Sequence, residues 1–194
     1  MDPLLIDVAE RIETERLVLR RPQPGDGPTL NAAVCESLDE LRPWMPWAQA
    51  APTPEESEIQ CRRMHARFAS REDLVMFIFE RATDGGEGML LGGSGLHRID
   101  WTVPRFEIGY WRRTGQGGRG VITEAVRALS RSAFDRMVAR RVEIRMNADN
   151  DRSARVAERA GFTLEGVLRQ DALGVDGAPR DTRVYARVRG VEEA

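Results

Sequence analysis

The chain has 194 residues, 41% hydrophobic and 31% charged, the balance of a globular domain long enough to bury a real core. A formal net charge of -2 excludes a global pull toward nucleic acid or an anionic membrane, and all 29 basic residues are arginine, so no lysine can form a Schiff base. Two cysteines, Cys35 and Cys61, and two histidines, His65 and His97, lack the number and spacing of a metal site, so no metal is expected.

The start, "MDPLLIDVAERIETERL", carries acids inside its short apolar run and lacks the basic region of a signal peptide. No apolar run approaches the ~20 residues of a membrane span, so a soluble cytoplasmic protein with reduced thiols is expected. "RLVLRR" (16–21) alternates as a first strand. "QPGDGPTLNAAVCESLDEL" reads as turn and then helix, with Asp26 as its cap. A Pro- and Trp-rich loop, "RPWMPWAQAAPTP", follows. Thr53 or Pro54 then opens a second helix, with Ile59, Arg63, Met64 and Phe68 at helical spacing and two acids in the first turn.

"LVMFIFER" (74–81), "MLLGGSGLHRI" (89–99) and "RFEIGYW" (105–111) read as three strands of an antiparallel meander. The glycines of the middle strand point to a bulge or a close backbone approach. Val121, Ala125, Leu129, Ala133 and Met137 recur every four residues, so 120–137 is an amphipathic helix. "RRVEIRM" (140–146) returns as a strand parallel to "RFEIGYW", because a strand–helix–strand unit of this length implies a crossover. "NDRSARVAERAGF" is a helix capped by Asn150 or Asp151 and stopped by Gly161, and "TLEGVLRQDALG" with "RDTRVYARVR" closes the sheet. The order is β-α-α-β-β-β-α-β-α-β-β, an α/β (α+β) mixed sheet with helices on its faces.

The informative stretch is "FEIGYWRRTGQGGRGVITEAVRAL" (106–129). Its "GQGGRG" matches G-x-G-x-x-G, but "RRT" intervenes before the glycines and the second strand ends in Asn147 instead of the acid a ribose needs. The G-K-[S/T] of a P-loop is missing. Either the loop merely joins strand to helix, or its amides, the helix N-terminus and Arg119 hold a diphosphate.

The flanks favour the second reading. "EIGYW", "GRGxxTEAV", "NxxNxxS", "AGFTLEGVLR" and the "LRPWMPW" loop, at these separations, resemble the GNAT N-acetyltransferases of the RimJ/RimL-like branch. The resemblance runs from about residue 13 to 188 of a single domain, 1–194. It implies a mostly antiparallel sheet with one splayed parallel strand pair, and acetyl-CoA as cosubstrate. Gln116, Gly117, Gly118, Arg119, Gly120 and Val121 would form the pyrophosphate loop, although Gly117 replaces the family's usual Gln or Arg and Ile122 its small residue. The edge of Ile108, Tyr110 and Trp111 would pair with the pantetheine arm, as an added strand would, and Asn147 and Asn150 would flank it.

Acyl transfer to an amine needs a base, an oxyanion donor and support for the departing thiolate. No His or Cys is well placed for a covalent acyl-enzyme, so direct attack in a ternary complex is expected, and His65 and His97 read as structural or exposed. Glu107 is one candidate base, or a solvated strand carboxylate. Asp171 is a second, or a turn aspartate. Ser153 occupies the family-like position beside the thioester sulfur, and Tyr110 is the alternative hydroxyl or a packed aromatic. Trp44 and Trp47 resemble the acceptor-site wall, or one of them is core. The acceptor is a primary amine, either the α-amino group of a ribosomal or other protein or a small molecule. A non-catalytic acyl-CoA sensor is the competing class, and a homodimer is compatible with the resemblance.

Overall fold

The computed structural model describes residues 2–116 and 119–193. Its strands are β1 (Arg11–Glu13), β2 (Leu17–Arg20), β3 (Leu74–Arg81), β4 (Glu87–Asp100), β5 (Arg105–Arg112), β6 (Arg141–Asn147), β7 (Thr163–Leu173) and β8 (Pro179–Val188). Its helices are α1 (Gly27–Leu41), α2 (Pro54–Ala69), α3 (Val121–Arg136) and α4 (Asp151–Arg159). The eight strands form one sheet in the order β1-β2-β3-β4-β5-β6-β8-β7, antiparallel throughout except for β5 beside β6.

Alternation along the strands divides the core between two faces. Leu74, Met76, Ile78, Leu96, Phe106, Ile108, Val142 and Ile144 join α3 and α4 in one apolar cluster. Phe77, Phe79 and Leu90 pack with α1 and α2 in a second. The four-residue recurrence in α3 is its buried stripe: Val121, Ala125, Leu129, Ala133 and the following Met137 all lie in the first cluster. In α2 the stripe is displaced from the expected one. Ser57, Cys61, Met64 and Phe68 are buried, while Ile59 is 40% exposed on the outer side.

Three helix starts show where side-chain chemistry decides. Thr53 caps α2 in a reciprocal capping box with Glu56. Asn150 caps α4 by accepting from the Ser153 amide at 3.0 Å. Asp26 does not cap α1. Its carboxylate is gripped by Arg20 at 2.6 and 2.8 Å and accepts from the Gln23 amide, and the Glu58 carboxylate takes the Gly25 and Gly27 amides instead. Those backbone bonds hold the Glu58 carboxyl below its ordinary range. Gly27 permits the arrangement, because a Cβ there would lie 2.6 Å from the Glu58 Cα. β1 is an addition to the expected elements, three residues long and paired along β2.

Candidate active site

β6 pairs with β5 only from Arg105 to Glu107. Beyond that, β5 remains bonded to β4 as far as Arg112, and β6 to β8 as far as Asn147. The two parallel strands therefore diverge from Ile108 onward, which is the expected splay. A cavity of about 640 Å³ opens at the divergence, within the range of small-molecule sites. It runs from the Trp44–Trp47 loop, α1 and α2 on one face to Ser153 of α4 and its cap Asn150 on the other.

Glu107 lines the first half of the cavity. Its side chain is only 17% exposed, and its Oε2 is buried without a hydrogen bond. The nearest cation, Arg98, stands 3.5 Å away and does not form that bond. Burial pushes the carboxyl above its ordinary value, with Arg98 and Arg145 pulling the other way. Such a group holds a proton more readily than a solvated glutamate.

His97 sits opposite Glu107 in the β4–β5 register and lines the same cavity. Its ring lies over Gly95 and Gly109, themselves cross-strand partners: a Cβ on Gly95 would fall 2.8 Å from Cε1, and one on Gly109 3.1 Å from Cδ2. Nδ1 is 2.5 Å from Asp73 Oδ1. Trp111 uses Gly93 in the same way, its Nε1 standing 2.5 Å from where a Cβ would be. The glycines of β4 thus provide the close approach their positions suggested. His65 is structural, its Nδ1 3.0 Å from the Pro22 carbonyl.

Trp44 and Trp47 line the cavity and are 40% and 53% exposed, so neither is a core residue. Trp47 meets Trp111 edge to face, with centroids 6.1 Å apart. Asp171 does not line the cavity; it accepts from Arg145, which does, at 2.7 Å.

On the other face, the Tyr110 hydroxyl donates to the Ser153 carbonyl at 3.0 Å and lies 2.8 Å from Ser153 Oγ. Burial raises the Tyr110 phenol well above its ordinary value, so it stays protonated and keeps its hydrogen bond to Ser153. Asn147 Oδ1 accepts from the Asp149 amide and holds the turn into α4. Ile108 is buried in the core and meets the cavity, as Trp111 does.

α3 begins at Gly120, in the left-handed region at φ 70°, with no side-chain cap. A Cβ there would meet nothing within 4 Å among the described residues. Arg119 is exposed, and its carbonyl accepts from Arg16 at 3.0 Å. Gln116 reaches Met89 Sδ at 3.6 Å. Val121 and Ile122 turn their side chains into the core. Uncapped amides beside an exposed arginine suit a diphosphate. Gly117 and Gly118, assigned to the same loop, lie outside the described residues. Among the described residues no acidic, histidine or cysteine cluster could hold a metal ion, and no helix is long and apolar enough to cross a membrane.

The model of the acetyltransferase (GNAT) domain matches residues 16–163. The chain is 31% identical over 176 residues to a Bacillus subtilis (strain 168) protein named "Putative ribosomal N-acetyltransferase YdaF", covering 89% of this chain and 91% of that one. It is 28% identical to the ribosomal-protein-serine acetyltransferase of Escherichia coli (strain K12), covering 94% and 96%. A solved structure of RimL, a ribosomal L7/L12 α-N-protein acetyltransferase in complex with coenzyme A, superposes with a TM-score of 0.83 at 26% identity, over 92% of this chain and 98% of that one.

Proposed function

Because this chain belongs to the acetyltransferase (GNAT) domain family, an acetyl-CoA-dependent N-acetyltransferase, we propose that its acceptor is the α-amino group of a protein N-terminus, and that the protein is ribosomal. Two relatives with near full-length coverage carry ribosomal-protein names. The cavity mouth agrees: the exposed Trp44 and Trp47 leave room for a chain end that continues into solvent. The catalytic domain is one unit with its core at about 13–188, working in the cytoplasm, where ribosomes are made.

The observation that carries the mechanism is the splay of β5 from β6. It joins a face holding a high-pKa carboxylate to a face holding a hydroxyl pair. Acetyl-CoA would supply the activated acetyl group along the gap, with Arg119, Gly120 and Val121 holding its diphosphate, Ile108 to Trp111 its pantetheine, and Asn147 and Asn150 flanking. Glu107 takes a proton from the amine, directly or through water. Tyr110 and Ser153 donate toward the departing sulfur. Asp171 acts on the Glu107 side, through Arg145.

An acceptor screen that follows thiol release tests the assignment. Peptides beginning with Ser or Ala from ribosomal N-termini should be acetylated faster than amino acids or small amines. Preference for a small amine, with the peptides untouched, would replace the acceptor.

A further inference from the structure

The acceptor half of the cavity contains more proton chemistry than one carboxylate. An ammonium that becomes an amide loses two protons in all. Glu107 accounts for one, and the Asp73–His97 pair is placed for the other. Asp73 Oδ1 fixes Nδ1 at 2.5 Å, which sets the tautomer with its proton on Nδ1. Nε2 then keeps its lone pair, and it meets no hydrogen-bond partner among the described residues. The ring cannot settle elsewhere, because the Gly95–Gly109 floor supports it and a side chain at either position would displace it. It lies on the cavity wall beside Glu107, its cross-strand neighbour, with its side chain 34% exposed, so a proton taken there can leave to water.

We propose that the Asp73–His97 pair is a second proton acceptor for the amine substrate, with Nε2 as the accepting atom and Asp73 as its positioning partner. The inference rests on the acetyl-transfer reading of this cavity, not on which amine enters it. The amine arrives as R–NH3+ and gives one proton to Glu107. Its nitrogen bonds to the acetyl carbon and the carbon–sulfur bond breaks, the electron pair leaving on sulfur. Nε2 takes the second proton from nitrogen, and the thiolate, hydrogen-bonded by the Tyr110–Ser153 hydroxyls, takes one from solvent. Glu107 and His97 discharge two protons to solvent and sulfur takes one back, so one proton is released per turnover. The charged groups around this cavity are Asp73 from the turn before β3, Arg98 beside His97 on β4, Glu107 on β5, Glu143 and Arg145 on β6, Arg180 on β8 and Glu56 on α2.

Two measurements decide it. With only two histidines in the chain, imidazole nitrogen NMR of the full-length protein, assigned through His65→Gln, should show His97 at pH 8 with a protonated Nδ1 and a bare Nε2. A proton on Nε2 would overturn the proposal, and this measurement needs no acceptor. In the second, His97→Ala should lower kcat/KM for a Ser-initiated peptide about 10–100-fold at pH 7, with acetyl-CoA affinity within about twofold of wild type. Added imidazole should restore part of the loss, through the space left over Gly95 and Gly109. Asp73→Asn keeps an acceptor for Nδ1–H without the charge; it should cost less and shift the acid limb of the pH profile. It decides the kinetic question where His97→Ala does not fold. Unchanged kcat/KM and pH profile in these variants, or a loss that imidazole does not relieve, makes the pair structural. A wild type that ignores the peptides and acetylates a small amine refutes the preceding acceptor assignment alone, and that amine then serves here.

Discussion

Replacing Glu107 by Gln should make the enzyme slower and the fold more stable at the same pH. Glutamine keeps the shape of the side chain and removes its charge. In the wild type a buried carboxylate oxygen has no hydrogen bond, with Arg98 held off at 3.5 Å. An unmet buried polar group costs about 1–3 kcal/mol. The amide must still be desolvated, so a net gain of about 1 kcal/mol is expected, or roughly 2–4 °C in Tm for a chain of this size. The sign follows from the raised carboxyl pKa of the folded state. The wild type has its full stability below the unfolded carboxyl value of about 4.3, and loses this contribution as pH rises through the higher folded value. The variant has no such loss. Melting curves across pH should therefore show the gap open at pH 7.5 and close toward pH 4.3. Thiol-release kinetics should show kcat/KM reduced about a hundredfold at pH 7 and partly recovered at high pH, where the amine deprotonates unaided. A less stable variant at neutral pH, a gap indifferent to pH, or an unaltered activity profile would each refute the reasoning.

Gly120→Glu places a side chain and a negative charge at the left-handed start of α3; calorimetry should show acetyl-CoA Kd raised at least about tenfold, roughly 1.4 kcal/mol, in a folded protein. Trp44→Ala or Trp47→Ala should raise the acceptor KM more than that of acetyl-CoA with little change in Tm, since both rings are well exposed. Ser153→Ala should lower kcat by about tenfold to a hundredfold with no rescue at high pH, because the lost group serves the sulfur and not the amine. Thr53→Ala removes half of the α2 capping box and should cost about 1 kcal/mol, read as a fall of roughly 2–4 °C in Tm with kinetics unchanged.

The sheet order was legible where the period was clean. The four-residue stripe of α3 and the alternation of "RFEIGYW" and "RRVEIRM" correspond to α3, β5 and β6. β1 escaped because "RIE" is too short to display a period. Ile59 faces away from the core of α2 because a polar helix offers two weak stripes, and packing against α1 selects the one with Ser57 and Cys61. Asp26 misled because a carboxylate before a helix can be claimed by an arginine as well as by amides. In the site, Glu107, Tyr110 and Ser153 could be singled out because they stand in local strings. Asp73 and His97 are 24 residues apart and meet only through the β3–β4 pairing. The one local clue was the glycines of β4, Gly93 and Gly95, which left open floor without saying that Trp111 would lie over the first and His97 over the second.

The divergence of β5 from β6 bears on the order of events. The gap passes through the sheet and is lined by Ser153 of α4 on one side and by the tryptophans and α2 on the other. With the coenzyme on the first side and the acceptor on the second, as proposed, neither lies in the other's route in or out. Association can then be random, spent coenzyme can depart before or after the modified chain, and initial-rate plots should intersect without one substrate having to bind first. A bulky acceptor also brings only its first residues through the opening, so its folded remainder places no demand on the shape of the cofactor side.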